Sequence, residues 1–79
     1  MMPTVLRLDG FQLMIYTHDH EPMHVHVFRA EAEVIINIET IAVRAVRGMK
    51  AKDVREAQQI VADNQALLLS EWNRIQPVP

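Results

Sequence analysis

Alternation dominates the first half of the chain. In Phe11-Gln12-Leu13-Met14-Ile15-Tyr16-Thr17, Phe11, Leu13 and Ile15 fall on one face of an extended chain and Gln12, Met14 and Tyr16 on the other, the period-two signature of a strand. A shorter extended run at residues 4–8 precedes it, separated by Asp9-Gly10. A type I′ turn needs positive φ at both central residues, and Asp-Gly tolerates this, so the spacing predicts a hairpin of strands 4–8 and 11–17. Pro22 cannot donate to a ladder and holds Glu21 extended, so residues 18–23 read as a connecting loop. Next, His24-Val25-His26-Val27-Phe28-Arg29 puts Val25 and Val27 on one face and His24 and His26 on the other. Residues 33–39 are β-branched, with Val34, Ile36 and Ile38 sharing a face. These two runs predict a second hairpin turning near Ala30-Glu31. Residues 40–47 read either as a short fifth strand or as an extended crossover ending at Gly48.

The period then changes. From about residue 51 to 75, Val54, Ala57, Val61, Asn64, Leu68, Trp72 and Ile75 recur at spacings of three and four, flanked by Ile60 and Leu67, which predicts one long amphipathic helix. Asp53 suits its positive N-terminal end, and Pro77 and Pro79 fall just beyond its other end. At about 1.5 Å per residue the helix is roughly 37 Å long, against about 20 Å for a strand. It is therefore expected to overhang the sheet with Leu67, Leu68, Leu69, Trp72 and Ile75, and a homodimer or a small protein partner is expected to cover them. The expected fold is α+β: an antiparallel sheet of four to five strands in two hairpins packed on one long C-terminal helix, with residues 1–79 a single domain.

Composition sharpens this in three ways. A chain of 79 residues buries only about 60% of its unfolded surface, and without cysteine no disulfide supplements the core. A metal or a partner is the remaining support. No basic segment followed by a long apolar run opens the sequence and no stretch approaches a membrane span, so a cytoplasmic protein off the membrane is expected. Net charge is −2, which argues against strong nonspecific nucleic-acid binding. Arg44, Arg47, Lys50, Lys52 and Arg55 face only Asp53 locally, and read as a solvated surface before a phosphate-reading one.

The chemistry is concentrated in the loop and third strand. All four histidines, His18, His20, His24 and His26, lie there. A histidine-x-histidine pair on a strand sends both imidazoles to one side, where they can chelate zinc or a similar borderline metal. His20, or His18 with Asp19, would supply a third ligand from the loop, leaving a position open for water. Glu21, Glu31 or Glu33 would then serve as a base. Two other readings stand beside this one: the rings of His24 and His26 satisfy nearby carbonyls or carboxylates and only hold the loop, or they act without metal as general acid and base or on phosphate. The cupin, histidine-triad and metallo-β-lactamase patterns do not match.

The run His18-Asp19-His20-Glu21-Pro22-Met23-His24-Val25-His26-Val27, with Pro3-Thr4-Val5-Leu6-Arg7, Asp9-Gly10-Phe11, Arg47-Gly48, the stretch from Asn64 to Leu69 and Trp72-Asn73, resembles a family of small bacterial proteins known as domain of unknown function four-one-six-zero. Members typically read aspartate-histidine-x-proline-proline-histidine-x-histidine-valine. Asp19, His20, Pro22, His24 and His26 match, whereas His18 stands where asparagine is common and Met23 replaces the second proline. Lys50 takes the place of a usual serine, so the helix N-cap is missing. The resemblance implies small two-gene units that look like toxin and antitoxin pairs. The leading expectation is accordingly a protein-interaction module, one component of such a pair. The alternative is a metal- or histidine-dependent RNA or phosphodiester hydrolase using His20, His24 and His26, with Asp19 among the metal ligands and Arg29 or Arg47 contacting phosphate.

Overall fold

In a computed structural model of the chain, which describes residues 4–17 and 19–76, five strands precede two helices. They are β1 (Thr4–Leu8), β2 (Phe11–Met14), β3 (His24–Arg29), β4 (Ala32–Asn37), β5 (Val43–Arg47), α1 (Ala51–Asp63) and α2 (Gln65–Ile75). The strands form one antiparallel sheet in chain order, β1-β2-β3-β4-β5. It is a continuous meander rather than two separate hairpins, because β2 also pairs with β3 and the ambiguous segment joins as β5. Both predicted turns are present. Asp9 and Gly10 have φ of 51° and 81°, as a type I′ turn requires, and Arg29 pairs with Ala32 across a two-residue turn in which Ala30 takes φ 52°.

The alternation translates directly into burial. Phe11, Leu13, Ile15, Val25, Val27, Val34, Ile36 and Ile38 are buried and join Ala57, Ile60, Val61, Leu68, Trp72 and Ile75 in one apolar core. Arg29 lies 4.7 Å over the Phe11 ring, with Asp53 at 3.5 Å and Glu56 at 3.8 Å, so it ties the end of β3 to α1. No helix among the described residues is long and apolar enough to cross a membrane.

The single long helix is not what forms. It breaks at Asn64, whose φ and ψ are −118° and 22°. The Asn64 side-chain amide donates to the Ile60 carbonyl at 2.8 Å, and its backbone N–H is divided between the Ile60 and Val61 carbonyls. Asparagine competes for backbone groups in this way, which is why it disfavours a helix interior. The break also removes the overhang. The thirteen residues of α1 rise about 20 Å, the length of a strand, and Leu68, Trp72 and Ile75 return to the core, leaving Leu67 exposed. As expected, Lys50 makes no side-chain cap at the start of α1.

Candidate functional site

Because side chains on a strand alternate, burying Val25 and Val27 forces His24 and His26 to the other face. Met14 is opposite His26 on β2, while Asn37 and Ile35 are opposite His24 and His26 on β4. The loop before β3 brings a carboxylate over the two rings. A single oxygen, Asp19 Oδ2, lies 2.9 Å from His24 Nε2 and 3.4 Å from His26 Nε2. The loop is held there by Gln76 at the end of α2, which accepts from the Asp19 N–H at 3.0 Å and donates to the Tyr16 carbonyl at 2.8 Å. Little of the trio is open to water: the side chains of His24, His26 and Asp19 are 7%, 12% and 18% exposed.

The far nitrogens are tied from behind. His26 Nδ1 lies 2.9 Å from Glu33 Oε2, and since a carboxylate only accepts, Nδ1 carries the proton. Nε2 faces a second acceptor, Asp19 Oδ2 at 3.4 Å, so the His26 ring stands between two carboxylates. His24 Nδ1 meets two groups at 2.9 Å, the Pro22 carbonyl and the Arg44 guanidinium. These partners exclude one another, because the carbonyl only accepts and the guanidinium only donates. Arg44 reaches the ring because β5 is irregular beside Ile35 and Ile36, so Arg44 has no register partner between Val43 and Ala45. Trp72 stands 5.4 Å from the His24 ring and Tyr16 4.3 Å from the His26 ring, centroid to centroid. Burial first, then the charges of Glu33 and Asp19, raise the Tyr16 phenol above its ordinary value of 10.0.

Of the residues expected to act, Asp19, His24 and His26 come together, with ligand atoms within 4.8 Å of one another. His20 does not join them; it is exposed, and its backbone N–H donates to Asp19 Oδ1. His18 lies outside the described residues. Glu33 is present, but behind His26 rather than across a reaction site. Arg29 is engaged with α1, and Arg47 sits 3.7 Å from Glu33. Arg44, Tyr16, Asn37 and Trp72 complete the surroundings, and only the strand register and the α2 break reveal them. The hollow by the β1–β2 turn, lined by residues 7–12, contains none of these groups.

These features define a small α+β protein whose polar sheet face carries a semi-buried His-His-Asp cluster. The chain belongs to the family described as domain of unknown function (DUF4160), whose model matches residues 10–73. No curated protein and no solved structure matches it.

Proposed function

We propose that this is a metal-binding protein in which Asp19, His24 and His26 hold one divalent transition metal, with zinc the natural occupant. The observation that carries the reading is convergence. Two imidazole Nε2 atoms and one carboxylate oxygen meet while an acceptor lies 2.9 Å from each Nδ1, the Glu33 carboxylate for His26 and, in competition with the Arg44 guanidinium, the Pro22 carbonyl for His24. That is how metal-ligating histidines are oriented. Metal–ligand bonds of about 2.0–2.1 Å at tetrahedral angles put neighbouring ligand atoms about 3.3 Å apart, and Asp19 Oδ2 already lies 2.9 Å and 3.4 Å from the two nitrogens. Three ligands leave one position for water, whose pKa a zinc ion lowers to about 7, the starting point for hydrolysis. Asn37, opposite His24, has a buried Oδ1 with no hydrogen-bond donor among the described residues.

Elemental analysis of protein purified without an affinity tag tests this. About one equivalent of metal is expected, retained in His20→Ala and lost in His24→Ala/His26→Ala. Protein that stays metal-free after incubation with zinc, with the double variant merely less stable, would return the histidines to a structural role.

A second reading, association with another chain, is favoured by the end of the sheet. Val43 and Val46 on β5 are 38% and 46% exposed although their β4 partners Ile36 and Val34 are buried. An edge strand with bare valines invites pairing with a second copy, or with the partner of a toxin-antitoxin-like unit. Light scattering that returns a monomer mass, together with co-expression that recovers no complex with the neighbouring gene product, would remove this reading.

A further inference from the structure

We infer that Arg44 regulates the metal affinity of this site from behind, by holding His24 in the tautomer that cannot ligate. The inference rests on the metal reading and adds its regulation. It begins with a ring that has more partners than it can serve. His24 Nε2 lies 2.9 Å from Asp19 Oδ2, and Nδ1, on the far side of the ring, lies 2.9 Å from both the Pro22 carbonyl and the Arg44 guanidinium. A neutral imidazole has one N–H and one lone pair, which leaves two arrangements. With the proton on Nε2, the ring donates to Asp19 and Nδ1 accepts from Arg44. With the proton on Nδ1, the ring donates to Pro22 and Nε2 is bare.

Without a metal the first arrangement is the better one. It gives the Asp19 oxygen a donor and the guanidinium an acceptor, both in charge-assisted bonds. The second sets a lone pair against a carboxylate at 2.9 Å and turns an N–H toward a cation that only donates. A metal reverses the order. It takes the Nε2 lone pair and the Asp19 oxygen, the ring proton moves from Nε2 to Nδ1 and goes to the Pro22 carbonyl, and Arg44 lets go. The ring is neutral before and after. No carboxylate lies within ion-pair reach of Arg44 among the described residues, so its one polar contact there is the bond to His24 that the metal must break. Arg44 is therefore a positioning residue that acts through His24 and opposes loading. Because it reaches the ring from β5, loading also unties β5 from β3.

The test uses the full chain labelled with nitrogen-15 at about pH 8, above the ordinary range of imidazole protonation, where ring-nitrogen chemical shifts distinguish a bare nitrogen from an N–H. Metal-free His24 is expected to carry its proton on Nε2 and to have a bare Nδ1. After one equivalent of zinc, its uptake verified by elemental analysis, the proton is expected on Nδ1. In competition with a chelating dye, Arg44→Met is expected to bind zinc about tenfold more tightly than the wild type, since no bond to the ring is then lost on loading. Arg44→Lys, which keeps a donor and the charge, is expected to fall between them. Arg47→Met removes the same charge from the same strand without touching His24, and is expected to change the affinity much less. Metal-free wild type with a proton already on His24 Nδ1, or an Arg44→Met protein that binds zinc no more tightly than Arg47→Met, overturns the inference and leaves the metal reading standing. Failure of the wild type to take up zinc overturns both.

Discussion

Glu33 decides which nitrogen of His26 faces the cluster. Its side chain is only 13% exposed and lies 2.9 Å from Nδ1, so under the proposed metal reading it would hold the Nδ1 proton and make Nε2 a better ligand. Glu33→Ala should therefore weaken metal affinity about 10- to 100-fold, measured by competition with a chelating dye, while circular dichroism stays that of the wild type. Unchanged affinity would mean that Glu33 only neutralises Arg47. Tyr16 offers an independent check on the surroundings. It is the chain's one tyrosine, so tyrosinate absorbance reports it alone, and the midpoint should lie above 10.0 because burial and the charges of Glu33 and Asp19 favour the neutral phenol. The sign for stability follows: the folded protein holds the proton more tightly than the unfolded chain, so this contribution is complete below pH 10 and is lost as pH rises through the folded value. The pairing of His24 with His26 was legible in strand alternation, and Asp19 in its proximity. His20 looked equivalent in sequence, but only the path of the loop distinguishes a residue over the rings from one beside it. Arg44 was read as part of a solvated patch, because its approach to His24 depends on an irregularity that no local pattern announces.

The helical segment shows why periodicity alone misjudged one element. Asn64 occupies an inner position of the 3.6-residue repeat, so the pattern runs through it unbroken, yet its side chain bonds the Ile60 carbonyl and separates α1 from α2. The consequence reaches the site, since α2 places Trp72 against His24 and Gln76 against the loop. The other end of α1 was read correctly. Lys50 has φ −68° and ψ 153°, the extended geometry of an N-cap, but offers no acceptor. Lys50→Ser should supply one and stabilise the fold by about 1 kcal/mol, raising Tm by roughly 4–8 °C for a chain of this size. Gly48 just before it has φ 72°, and Gly48→Ala should act oppositely, costing about 1 kcal/mol although nothing lies within 4 Å of an added Cβ. Thermal unfolding of the two variants separates these effects; a Lys50→Ser protein that melts with the wild type would show that solvent already satisfies the first turn.

At the scale of the whole molecule, 79 residues leave a modest margin of stability. Losing one core side chain, as in Leu68→Ala, would remove about 2–5 kcal/mol of it. A metal that bridges the loop at Asp19 to β3 at His24 and His26 binds only the folded chain, because these three groups meet only when the loop is docked. Binding then adds stability by mass action: at a free metal concentration one hundred times Kd the gain is about 2.7 kcal/mol, on the order of 10 °C in Tm for a domain of this length. Zinc should produce that rise in the wild type, a chelator should reverse it, and His24→Ala/His26→Ala should melt at one temperature with or without zinc. The unliganded comparison matters as much. Removing both rings also removes the contacts to Tyr16, Trp72, Pro22 and Glu33, so the double variant should start lower than the metal-free wild type. A zinc-induced rise of equal size in both proteins would place the bound metal away from the cluster, whereas a lower starting Tm with no zinc response in either would make the histidines part of the packing alone.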